Sequence, residues 1–443
     1  MRLPTPKWLR PVALVGGLGV ALSAQAQSLL DLYQSARNYD ATYQAAKAQF
    51  DATIARGEQS LGGIYPSANF SASATQTSQA SDLPVLNGMS YNAQAGTISV
   101  TQPLYRPANW ASYLQGKKQQ ELAQAQLTAA EQDLIIRISQ AYFDVLAAAD
   151  NGEYVRSLKA ATAEQLASAK RNFEVGSATI IDTRDAQAKY DLVLAQELAA
   201  DNDLRVKSLA LDQIAGKEGS KPKPLLAPVA LGHLLPDDVS QWVTLSETSN
   251  PTLAQLQTAL DVAKLETEKA EAGHKPTLDL TGSYTASNNT GSMTIPTAFT
   301  LNATTIGLVF NVPLFAGYSI QNRVKETLAL EEKARNDLEA ARRNVAQATR
   351  AAFFGVKTGL SQVLAYEAAE ASSQSALDSN QLGYRVGVKV NIDVLNAQSQ
   401  LYSTKAQLSK ARYDVLVGEL KLRQSVGTLA MDDLQPINAQ LAP

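Results

Sequence analysis

The sequence predicts a mainly α-helical chain with a small β component, written as two tandem copies of a strand pair followed by very long coiled-coil helices. Three observations carry this. First, TISVTQPLY from Thr97 and TIGLVFNVPLF from Thr305 each run into about 65 helix-forming residues. Second, FEVGSATIIDTRDAQ over 173–187 matches YRVGVKVNIDVLNAQ over 384–398, and Pro66/Pro276, Pro103/Pro313, Gly176/Gly387 and Gly216/Gly427 keep a spacing of about 210. Third, the texture alternates between charge-poor Ser/Thr/Ala/aromatic stretches and charged, Ala- and Gln-rich ones. A period this long exceeds the roughly 20–50 residues of a stacked solenoid unit, so it reads as duplication of a whole module.

The elements follow in order. Residues 1–26 read as a secretory signal: Arg2, Lys7 and Arg10 precede a short apolar run, and Ala24-Gln-Ala26 offers a small-x-small cleavage site. The alternative, an uncleaved anchor, needs about 20 apolar residues. The first repeat spans 27–216, with one helix over 28–60 and strands at about 66–78 and 91–105. A long helix over about 107–173 and a second over about 179–215 complete it. Residues 217–236, rich in Lys, Pro and Gly, read as a linker. The second repeat, 237–428, has an opening helix and strands at about 277–286 and 297–314. Helices at about 318–384 and 390–427 follow, and 429–443 is a short tail. The stretches 79–90 and 287–296 read as exposed strand-to-strand loops.

A run of 65 residues at 1.5 Å each is about 100 Å of helix, a length that coiled coils use and globular cores do not. Val394, Leu401, Leu408, Val415 and Leu422 recur every seven residues, with Ala397, Thr404, Ala411 and Gly418 three further on. Leu134, Ile138, Ala141, Val145 and Ala148 repeat the 4-3 spacing. An ordinary helical bundle shares this periodicity.

Composition narrows the function. Without the three cations of the signal, 36 basic face 42 acidic residues, a net of −6, and no basic patch favours nucleic acid. There is no cysteine, which excludes disulfides, thiolate metal sites and an N-terminal lipid anchor. His233 and His274 belong to no metal motif, so neither metal nor cofactor is expected.

The strands have a partner problem. Ile306, Leu308, Phe310 and Val312 alternate with Thr305, Gly307, Val309 and Asn311, which leaves one face apolar. In lipid every backbone group must be paired, so a sheet has to close. Single-chain bacterial barrels start at eight strands, and four leave two open edges. Two copies supply eight strands and three supply twelve. A soluble four-stranded sheet remains the other reading, but it leaves the signal and the long helices unexplained.

The order helix, strand pair, long helix, turn and helix, twice over behind a signal, resembles the TolC family of outer-membrane export ducts. The xVGxxxxxDxxxAQ signatures of both repeats carry the match, with VPLFAGY over 312–318 and ARYDVL over 411–416. The resemblance implies a homotrimer with a twelve-stranded barrel in outer-membrane lipid. An α-helical periplasmic tunnel would extend from it, meeting a periplasmic adaptor and an inner-membrane pump. It implies that Asp393 forms an acidic ring at the pore constriction, with Asn396 at a second ring position where close relatives have aspartate. It further implies a gate latch of Asp182, Tyr384 and Lys389, in which Lys389 replaces the usual arginine fork by a point charge. Val175, Gly176, Ser177, Val386, Gly387 and Val388 become adaptor-contacting tips. On their own, these residues read more simply: Thr179-x-x-Asp182 is a capping box, and both glycines suit tight turns. Tyr65, Tyr91, Tyr105, Trp110, Phe315 and Tyr318 flank the strands, as an aromatic girdle or as packing at junctions.

The expected function is a passive export duct for proteins or small toxic compounds in a Gram-negative bacterium, without enzymatic activity. The missing anchor cysteine leans towards protein secretion. The alternatives are a periplasmic coiled-coil scaffold and a secreted enzyme.

Overall fold

The computed structural model describes residues 26–78, 80, 90–226, 229, 231–232, 234–292, 295 and 297–442. The signal segment up to residue 25 and loop residues 79 and 81–89 lie outside the described residues. In chain order the elements are α1 (Leu29–Tyr39), α2 (Ala41–Gln59), β1 (Ser67–Ser78), β2 (Ser90–Tyr105), α3 (Pro107–Glu174) and α4 (Ile180–Ala215). The second repeat supplies α5 (Val239–Ser249), α6 (Pro251–Glu271), β3 (Thr277–Asn289), β4 (Phe299–Asn311), α7 (Ser319–Arg385) and α8 (Asn391–Val426). A single helical turn, α9 (Gln435–Asn438), follows.

The stretch 28–60 is not one helix. Asp40 ends α1 through its N–H on the Ala36 carbonyl and starts α2 through its carboxylate, which accepts from the Tyr43 N–H at 2.8 Å. Arg137 grips the same carboxylate at 2.8 and 3.0 Å, which fixes the break against α3. Asn250 divides α5 from α6 in the same way. The expected tail is docked rather than loose: Leu434, Ile437 and Leu441 are buried, and Leu441 bridges to Leu225 of the linker.

The sheet is an antiparallel meander, β1-β2-β3-β4, in which β1 and β4 each pair on one side only. The registers Phe70↔Ile98, Ile98↔Tyr284 and Leu280↔Leu308 put these five side chains, with Ile306 and Phe310, on a common face, while Leu301 and Val309 fall on the other. That face is bare: Ile306, Leu308 and Phe310 are 78%, 65% and 66% exposed. The opposite face carries Ser71, Thr97, Thr285 and their Ser/Thr/Asn neighbours. β3 runs to Asn289, so residues 287–289, read as loop, are strand.

α3 and α7 are 68 and 67 residues long, about 100 Å each. They pair with α4 and α8 as two hairpins, and α8 also packs along α3. All five heptad residues, Val394, Leu401, Leu408, Val415 and Leu422, are buried. The largest core lies near the roots of the hairpins, where α1, α3, α4, α8 and the C-terminal segment meet around Tyr142, Phe143 and Tyr413. Among the described residues no helix is long and apolar enough to cross a membrane.

Candidate gate at the hairpin tips

Both hairpins turn by the same hydrogen-bonded device. At the first, the Asn172 carbonyl accepts from Ser177 and Ala178, and the Gly176 N–H donates to the Phe173 carbonyl. At the second, Gly383 accepts from Val388 and Lys389, and Gly387 donates to Tyr384. Gly176 and Gly387 both have φ of 76°, the left-handed turn that a Cβ disfavours. Val175 and Val386 are exposed beside them, as is Val388 at 79%. Ser177 is exposed as well. These apolar side chains at solvent-facing turns have no packing role within the chain.

Asp182 caps α4. Its carboxylate accepts from the Thr179 N–H at 2.9 Å and hydroxyl at 2.7 Å, while its own N–H donates to the Thr179 hydroxyl. These hydrogen bonds, the hydroxyl one foremost, hold the carboxyl below the ordinary aspartate range. Asp393 takes the same place in α8, but Val390 offers no hydroxyl and the Val390 N–H is 3.5 Å away. Lys389, one turn back, lies 3.6 Å from it. Asn396 is exposed and Asp393 half-buried, while Val394 and Leu395 between them are buried. The two polar side chains therefore look away from the coiled-coil seam, side by side on one face.

The expected latch is not assembled within the chain. Lys389 goes to Asp393 and Asp182 to Thr179, so both charges find local partners before distant ones. Tyr384 goes elsewhere too: its hydroxyl accepts from the Asn172 amide at 3.1 Å. Its ring stays on its own hairpin, against Leu377, Val394, Leu401 and Ala397. Asn172 was missed because nothing in the local sequence marks it; only the crossing of the hairpins gives it a partner.

At the other end of the long helices the strands meet α3 and α7. Tyr65, Tyr105, Trp110, Phe315 and Tyr318 are exposed there, and Leu314 is 93% exposed. Phe315 and Tyr318 meet edge to face at 5.5 Å. Tyr91 is half-buried at the far end of β2. The only charged side chain in the four strands, Asp279, is buried and gripped by Arg106 at 2.8 and 2.6 Å. That lone acid in the strands was a signal the sequence did offer.

An open sheet with a bare apolar face, an aromatic band at its base and paired helices about 100 Å long have counterparts among known proteins. The chain matches the outer membrane efflux protein family over residues 32–217 and 242–428, the two halves of the duplication. It belongs to that family. The outer membrane protein TolC of Vibrio cholerae is 34% identical over 442 residues, covering 98% of this chain and 99% of the relative. TolC of Escherichia coli is 31% identical over 96% of this chain and 88% of its own. The alkaline protease secretion protein AprF of Pseudomonas aeruginosa is 30% identical over 94% and 88%. In fold, the chain is similar to the Campylobacter jejuni CmeC outer membrane channel, with a TM-score of 0.79 and 16% identity over 99% of this chain and 98% of that one. The V. cholerae outer membrane protein VceC gives 0.77, covering 90% and 96%. This member of the efflux protein family is thus an outer-membrane channel of the TolC type, with its helical part reaching into the periplasm.

Proposed function

We propose that three copies pool their sheets into one twelve-stranded barrel and their hairpins into a tunnel, a passive duct closed at the tips. The observation that carries this is the sheet: its exposed apolar face suits lipid, its Ser/Thr face suits a wet lumen, and its two unpaired edges demand neighbours. In a symmetric ring, Asp393 becomes a set of facing carboxylates that attracts cations and resists anions. Asn396 supplies the next position without charge, so the constriction carries one acidic ring. The exposed valines and glycine turns of both tips are the surface offered to a periplasmic adaptor, which would bring an energy-supplying pump. The relatives named for protease secretion and for TolC support an export role, for proteins or for small toxic compounds. Such a conduit performs no covalent chemistry.

Single-channel recording of the detergent-purified protein in planar bilayers tests this. A small, cation-selective conductance that rises in Asp393→Ala is expected. Folded protein that forms no channel would leave a periplasmic scaffold as the better reading. A large conductance indifferent to Asp393 would return that residue to helix capping.

A further inference from the structure

Closest to the two turns, one side-chain hydrogen bond links the hairpins of a chain, Asn172 to Tyr384, beside an apolar contact of Leu395 on Leu166, Ala169 and Ala186 and a bond from Lys189 to Ser399. We propose that Asn172 is the gate residue that positions Tyr384, so that the closed tip is held within each chain by an uncharged amide–phenol hydrogen bond; this rests on the duct reading above.

Three observations converge. Tyr384 is split between the hairpins: its ring is packed on α7 and α8, and its hydroxyl reaches α3 through Asn172 at 3.1 Å. Any separation of the second hairpin from the first has to break this bond. The charged residues that would otherwise serve are already satisfied locally, Asp182 by Thr179 and Lys389 by Asp393. The duplication then shows that the pair is unique to one combination. Asn172 occupies the turn position of Gly383, since both carbonyls accept from the residues five and six further on. A side chain at Gly383 would put its Cβ 2.7 Å from the Lys389 Cγ. Tyr384 in turn corresponds to Phe173, which has no hydroxyl. At these matched positions the amide exists only in the first repeat and the phenol only in the second, so each chain can build this link in one combination.

The chemistry of the link has a consequence. An ion pair at an exposed tip weakens as salt screens it. A hydrogen bond between two neutral groups does not, so the part of closure that depends on Asn172 is constant with ionic strength.

The test uses the full-length protein in planar bilayers, comparing wild type, Asn172→Ala, Tyr384→Phe and the double variant. Each single variant is expected to raise the open-to-closed ratio about five-fold per copy, the effect of one lost hydrogen bond. The double variant should add little to either single one, because both remove the same bond. The ratio of variant to wild type should be the same in about 0.1 M and about 1 M salt. Unchanged gating in Asn172→Ala would overturn the proposal while wild-type channels persist. So would a change in Tyr384→Phe that is coupled to Asp182→Ala instead of Asn172→Ala. A gating change that merely follows a lower unfolding temperature would overturn it as well. Folded wild-type protein that never conducts would remove the duct reading itself, a distinct failure.

Discussion

Asp393, Asn396 and Asp40 show how much a single side chain decides in this fold. Asp393 and Asn396 share a face, so in the proposed trimer Asn396→Asp should add a second acidic ring to the one of Asp393; tighter block by divalent cations in bilayer recordings is the expected result. Asp40 caps α2, ends α1 and accepts both arms of Arg137. The guanidinium bonds, more than any other influence, hold its carboxyl below the ordinary range. A depressed carboxyl stabilises the fold above the unfolded aspartate value, and that contribution is lost as pH falls through the lower folded one. Asp40→Asn should therefore cost about 2 kcal/mol at neutral pH. The difference should vanish in acid, as read by unfolding temperature against pH. Asp150 has the opposite sign. It accepts from Tyr413 at 2.8 Å, and burial pushes its carboxyl up, so the ionised form is the costly one. Asp150→Asn is expected to raise the unfolding temperature at pH values above the ordinary aspartate range and to change little in acid.

The elements were legible wherever one pattern ran without competition. The heptad of α8 could be read residue by residue because nothing but burial dictates it, and Leu401→Ala should destabilise the hairpin by about 2–5 kcal/mol. The duplicated strand ends were marked by proline and the tips by glycine. The break at Asp40 was not legible, because an acid in an Ala-rich stretch looks like helix surface until Arg137 arrives from about a hundred residues away. Nor was the Asn172–Tyr384 link, which depends on how two hairpins cross. Within one chain the residues of the expected latch take other partners for a related physical reason. Residue types carried over by resemblance say nothing about nearer partners, and a capping hydroxyl three residues away, or a lysine one turn away, takes the carboxylate first.

At the scale of the whole molecule, duplication predicts more than the fold. The β2–β3 pairing, with Ser99 opposite Ser283, is already a joint between the two repeats. Moved along by the repeat spacing of about 210 residues, the same joint places Val309 of β4 opposite Ser73 of β1 in a neighbouring copy. Closing the barrel this way removes both open edges and turns the apolar face outward all round. The chain has no cysteine, so a pair introduced there has no rival thiol. The most direct test of the pooled barrel is therefore oxidative cross-linking of Val309→Cys/Ser73→Cys protein in native outer membranes. The account predicts a covalent ladder ending at three chains. A protein that stays monomeric under oxidation, or a ladder that stops at two, would contradict it.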